Sequence, residues 1–106
     1  MDIDVSALTV VHNEPYSRFE IALGNDMAFL TYRRQPGRII FNHTEVPPSF
    51  RMRGVAAKLT RAALDYARAQ DVDVVPSCPY VAAFIRKHPE DHDLLTPEDL
   101  KRYVTG

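Results

Sequence analysis

The stretch Phe41-Asn42-His43-Thr44-Glu45-Val46-Pro47-Pro48-Ser49-Phe50-Arg51-Met52-Arg53-Gly54-Val55-Ala56-Ala57 decides the fold. A run with strand character ends at Glu45, two prolines break it, an arginine-rich loop follows, and Gly54 opens an amphipathic helix. A helix start carries free backbone N–H groups and the positive end of the helix dipole, and together these attract anions. Gly54 lets the backbone approach a ligand closely, and small Ala56 and Ala57 leave the first turn uncrowded. Arg51, Arg53, Lys58 and Arg61 add charge suited to a polyphosphate. The plainer alternative is a helix start whose cations form a solvated face.

Upstream of this stretch the pattern predicts a four-strand antiparallel meander. Residues 5–12 are rich in Val, Leu and Thr. Residues 18–23 alternate, with Phe19, Ile21 and Leu23 on one face and Arg18, Glu20 and Ala22 on the other. Gly24-Asn25-Asp26 tolerates positive φ and predicts a tight hairpin into residues 27–33. Gln35-Pro36-Gly37 is a second turn, leading into residues 38–45.

Downstream, residues 54–70 predict a helix with Val55, Leu59, Ala62, Ala63 and Tyr66 on one face. Lys58, Arg61, Asp65 and Arg68 fall on the other, solvated face. Residues 72–75 predict a fifth strand, and the intervening helix makes it parallel to the fourth. Pro79 suits the first position of a helix running to about residue 88, with Cys78 as its N-cap. Thr96-Pro97-Glu98-Asp99 is a variant capping box, with Leu95 and Leu100 placed as its hydrophobic staple. The expected class is α+β.

Composition bounds the function. At 106 residues the chain is expected to form one domain, residues 1–106. A single cysteine, Cys78, rules out an intrachain disulfide and any multi-cysteine zinc site. A net charge of −1 argues against a generic nucleic-acid binder. No apolar run approaches the roughly 20 residues that span a bilayer, and residues 1–13 carry acids where a signal peptide needs a basic start. A soluble cytoplasmic protein is the expectation, with neither nucleic acid nor membrane as partner.

Arg51-x-x-Gly54-x-Ala56 matches the Arg/Gln-x-x-Gly-x-Gly/Ala signature of the GNAT superfamily of acyl-CoA-dependent N-acetyltransferases, and the order of elements around it is similar. The segments 43–47, 53–56, Pro76-Ser77-Cys78-Pro79-Tyr80-Val81 and Lys87-His88-Pro89-Glu90 resemble its compact YjdJ-type group, which lacks the later strands. The resemblance spans roughly residues 10–90. It implies acetyl-CoA as co-substrate, an amine acceptor of unknown identity, and a cleft where strands four and five splay apart. Pyrophosphate would then lie on the backbone amides of Arg53, Gly54, Val55, Ala56 and Ala57. Arg51 and Met52 belong to the loop wrapping it, and Lys58 flanks it. The pantetheine arm would pair with backbone near Thr44 and Val46 like an added strand.

Acetyl transfer to an amine needs a deprotonated nucleophile, a stabilised oxyanion and a proton for the leaving thiolate. Glu45 and His43, two apart on the predicted fourth strand, share a face and could take the amine's proton. The alternatives are a solvated strand-end carboxylate and a packed histidine. Cys78 at a helix N-cap could carry the acetyl group covalently, or could simply pack. The family usually has Asn near position 78 and a tyrosine acid near position 85, where this chain has Cys78 and Ile85. Tyr80 is a nearby substitute for that acid, unless it packs in the core.

The run His88-Pro89-Glu90-Asp91-His92-Asp93 reads as a solvated helix exit rather than a metal site, because Pro89 breaks the helix between the histidines. Arg33-Arg34 and Arg86-Lys87 read as surface charge. Two functions stay open: an N-acetyltransferase acting by direct attack or through acetyl-Cys78, and a non-catalytic acyl-CoA-binding or protein-interaction module. A monomer, or a weak homodimer paired through a sheet edge, is expected.

Overall fold

The computed structural model describes residues 4–106. Residues 1–3, part of the acidic start and of the expected domain span, lie outside the described residues. Strands β1 (Val10–Asn13), β2 (Arg18–Leu23), β3 (Asp26–Gln35), β4 (Arg38–Glu45) and β5 (Asp73–Pro76) form one sheet in sequential order. The first four pair antiparallel and β5 runs parallel to β4. Helix α1 (Val55–Ala69) links β4 to β5, and α2 (Pro79–Arg86) follows β5. A short α3 (Pro97–Leu100) runs into a π turn over Lys101–Thr105.

Period-2 alternation builds the sheet's inner face. Phe19, Ile21 and Leu23 of β2, Ala28, Leu30 and Tyr32 of β3, and Ile39 and Phe41 of β4 are all buried. Val55, Leu59, Ala63, Leu64 and Ala67 of α1 pack onto this face, and so do Val81 and Ile85 of α2, in one continuous core. Each fully buried Leu or Ile contributes roughly 1.5–3 kcal/mol. Arg61 of α1 stands over the Phe84 ring of α2, 5.3 Å from its centre, so both helices share one side of the sheet.

The pairing of β3 with β4 contains one irregularity that matters for the site. Thr31 faces His43 and Tyr32 faces Phe41, leaving Asn42 as an extra residue. Such a bulge bends its strand and shifts the alternation. Beyond it Thr44 lies opposite buried Leu30 and points inward, whereas His43 and Glu45, opposite Thr31 and Phe29, point to the face away from the helices.

Several local expectations are corrected. Residues 5–7 form a 3-10 turn rather than strand, because the Asp4 carboxylate accepts the N–H and hydroxyl of Ser6 and closes the backbone locally. The strand begins only at Val10. On α1, Ala62 and Tyr66 are half-buried, while Thr60, Leu64 and Ala67 join the buried face.

The run after α2 is no solvated exit. It forms a 3-10 helix, Pro89–Leu94, whose Asp91 is 1% exposed. Arg61 grips that carboxylate with both terminal nitrogens, at 3.1 and 2.6 Å, and Arg68 bridges Asp91 and Asp93. His88 Nδ1–H and His92 Nε2–H donate to the Phe84 and Ile85 carbonyls at the end of α2. Arg86 is likewise structural, donating to the carbonyls of Val104 and Tyr103. The Thr96 cap holds as expected, its hydroxyl accepting from the Asp99 N–H at 3.1 Å.

Candidate active site

The site begins where the parallel ladder stops. β4 and β5 pair as far as Phe41 and Pro76. The Phe41 carbonyl then accepts from the Cys78 N–H at 2.9 Å and from the Ser77 hydroxyl at 3.3 Å. These bonds draw the chain off the strand direction, and Pro79 starts α2 immediately. From Asn42 to Glu45, β4 has no strand beside it on that edge among the described residues. Its unpaired backbone groups are available to a ligand with amides of its own.

A cavity of about 410 Å³ lies against this edge. Thr44, Glu45 and Val46 form one side, Phe50 through Gly54 the loop side, and Val55, Ala56 and Tyr80 the remainder, with Arg53 outside the lining. The loop depends on left-handed backbone, with φ of 61° at Met52 and 87° at Gly54. Gly54 takes that conformation without the Cβ strain other residues incur. No side chain caps α1, and its first intrahelical bond runs from the Lys58 N–H to the Gly54 carbonyl. The N–H groups of Val55, Ala56 and Ala57 therefore have no acceptor within the helix. Arg51 Nε donates to the Val46 carbonyl at 3.1 Å and ties the loop across the cavity to the end of β4.

The structure brings Thr44, Cys78 and Tyr80 together. Cys78 is the N-cap of α2, 4% exposed, with Sγ 3.4 Å from Thr44 Oγ1. Tyr80 is 41% exposed and lines the cavity, so it does not pack in the core. Partial burial, and secondarily the neighbouring Cys78, raise the Tyr80 phenol above its ordinary value. It therefore keeps its proton at neutral pH.

His43 and Glu45 do share a face and bond to each other, Nε2 to Oε2 at 2.8 Å. That face is the one turned from the helices, although Glu45 also reaches the cavity rim. Lys58 Nζ donates to the carbonyls of Val5 and Ser6, at 2.9 and 3.2 Å, and does not line the cavity.

Comparison with known proteins gives the family. The family model described as GCN5-related N-acetyl-transferase matches residues 18–94, from the start of β2 through the segment holding Asp91. The chain belongs to the GCN5-related N-acetyltransferase family. Among curated proteins it is similar to Protein NATD1 of Bos taurus, 34% identical over 85 residues covering 77% of this chain and 75% of the relative. The Homo sapiens protein of that name is 33% identical with the same coverage. That of Danio rerio is 32% identical over 91 residues, covering 82% and 83%.

As a member of this family the chain carries the signature residues Arg51, Gly54 and Ala56 at the cavity, joined there by Thr44, Val46, Met52 and Val55. Two contributors were not anticipated from sequence. Phe50 enters the lining on the 3-10 turn Pro48–Phe50, which the paired prolines could have signalled. The Thr44 hydroxyl meets Cys78 only because of the bulge at Asn42. Among the described residues no helix is long and apolar enough to cross a membrane, and no group of three or more His, Cys, Asp and Glu could hold a metal ion.

Proposed function

We propose that this protein transfers an acetyl group from acetyl-CoA to an amine. The observation that carries the reading is the uncapped start of α1, with Gly54 at φ 87°, opening onto the cavity beside the free edge of β4. Those N–H groups and the helix dipole suit a pyrophosphate, and Thr44 to Val46 suit the amides of a pantetheine arm. Acetyl-CoA supplies the activated acyl group as a thioester.

Each residue then has a definable task. Thr44 lines the cleft, with Cys78 buried directly behind its hydroxyl. The amine nitrogen loses a proton and bonds to the acetyl carbonyl carbon as the carbon–sulfur bond breaks. Tyr80 gives its phenolic proton to the departing sulfur. His43 and Glu45 are bonded to each other on the opposite sheet face, and Glu45, which also reaches the cavity rim, can accept the amine's proton there directly or through water. Cys78 offers a second route, in which its sulfur takes the acetyl group first and the amine displaces it.

The test is calorimetric titration with acetyl-CoA of the native protein and of Gly54→Glu, followed by an assay of CoA release across a panel of amines. Micromolar binding lost in the variant, with amine-dependent release, is expected. A folded protein that binds no acetyl-CoA would sink the reading. One observation favours a second reading, a module that holds acyl-CoA without turnover: Ile85, near where the family usually places its tyrosine acid, is fully buried and has no proton to give. Binding without release for every amine would select it.

A further inference from the structure

We propose that Lys58 is a positioning residue of the cofactor site, acting through the N-terminal turn Val5–Ala7 rather than by touching phosphate. This rests on the acetyl-CoA reading for its functional consequence, while the positioning itself concerns the free protein. The Arg51–Gly54 loop has two residues in left-handed conformation and is exposed throughout, so something outside it must hold its shape. On one side Arg51 ties it to Val46. On the other stands the N-terminal turn: a Cβ built on Gly54 would meet Val5 Cγ1 at 4.0 Å.

The turn is closed by local bonds. The Ala7 and Leu8 N–H groups donate to the Asp4 and Val5 carbonyls at 3.0 and 3.1 Å, and Asp4 accepts twice from Ser6. Val5 and Leu8 pack against the core, and Lys58 ties the turn to the start of α1. That ammonium sits one helical turn beyond Gly54 and spends two of its three donors on Val5 and Ser6. Lys58 thus pins a turn whose Val5 side chain stands next to Gly54, and the Gly54 backbone sets the direction of the first free N–H groups. A site of this kind works only when its supporting shell is fixed to a fraction of an ångström.

A double-mutant cycle separates this role from direct phosphate binding. Lys58→Met, Lys58→Arg, Val5→Ala and the double variant Val5→Ala with Lys58→Met would be compared for acetyl-CoA binding by calorimetry. Order parameters from NMR relaxation would be read on the free proteins. The expected result is binding weaker by on the order of ten-fold for Lys58→Met, restored by Lys58→Arg. The double variant should be no weaker than Lys58→Met alone, and order should fall at residues 4–8 and 53–54 but not at Leu30.

Multiplying losses in the double variant would mean that Lys58 meets the phosphate itself, and would overturn the proposal. So would unchanged order at Gly54 in Lys58→Met. Were the native protein to bind no acetyl-CoA, the acetyltransferase reading would fail, and the order parameters would still decide whether Lys58 positions the loop.

Discussion

Thr44 Oγ1 lies 3.4 Å from Cys78 Sγ, and this contact joins the unpaired end of β4 to the first residue of the α2 cap. Thr44 lines the cavity, and Cys78 sits buried behind it, outside the lining. A thiol held there is both oriented and kept from bulk water, which suits either a covalent carrier or a structural pin.

Mass spectrometry of the intact protein distinguishes these roles. After incubation with acetyl-CoA and no amine, one acetyl group should be gained. Cys78→Ser should abolish the gain, and Thr44→Val should slow it while leaving stability near native. Full turnover by Cys78→Ser with no adduct on the native protein would assign direct attack on the thioester instead.

Gly54→Ala should cost about 1–2 kcal/mol in stability, since alanine at a φ of 87° is strained although nothing crowds its Cβ. Acetyl-CoA affinity should fall with it, because relief of the strain moves the first N–H groups of α1. Urea denaturation and calorimetry on the same samples check both. Equal stability would show that the loop can readjust freely.

Asp91→Asn should destabilise the protein by about 2 kcal/mol. Breaking a buried pair can cost more, but Arg61 and Arg68 are partly exposed and recover some hydration. Burial alone would raise the Asp91 carboxyl, yet Arg61 first and Arg68 second hold it below its ordinary value of 3.8. The unfolded chain therefore binds this proton more tightly. The stabilisation is present above about pH 4 and lost as pH falls further. As pH falls below about 4 the native protein should therefore lose more stability than Asp91→Asn does, and the gap between the two should narrow in urea denaturation series at each pH.

His12 makes stability depend on pH nearer neutrality. Its ring stacks on Phe19 with centres 4.3 Å apart, meets Tyr66 edge-on at 4.5 Å, and shares a hydrogen bond with the Tyr32 hydroxyl. Burial pushes the imidazole below its ordinary value of 6.5, against a weaker opposing pull from Glu14. The unfolded state thus takes up the proton first, and stability should fall as pH drops through about 6.5. His12→Phe should flatten that slope between about pH 7 and pH 5. An unchanged slope would show that another group governs the range.

The order of elements was legible because its signals are local. The Gly24-Asn25 hairpin, the Gln35-Pro36-Gly37 turn, Pro79 at a helix start and the Thr96 cap each act within four residues. What was hidden depends on distance. A buried acid such as Asp91 is readable only with its partners, and Arg61 stands 30 residues away. The turn at Val5–Ala7 was masked by β-branched residues and decided by one carboxylate, that of Asp4.

The direction of the site residues was the least readable feature. Strict alternation from Ile39 and Phe41 would send His43 and Glu45 toward the helices, and only the pairing of Thr31 with His43 reveals the reverse.

That same irregularity suggests how a cleft can be opened or narrowed by count rather than by chemistry. Removing Asn42 would leave Thr31 facing His43 and Leu30 facing Thr44, so every side chain of β4 would keep its side. The strand would lose its bend, however, and its free edge would take a different line past β5. Relatives that differ by a single inserted or deleted residue here would therefore differ in the room they leave for a ligand, even with identical groups around it. In this small scaffold, strand length is a variable on which selection can act independently of the residues that do the work.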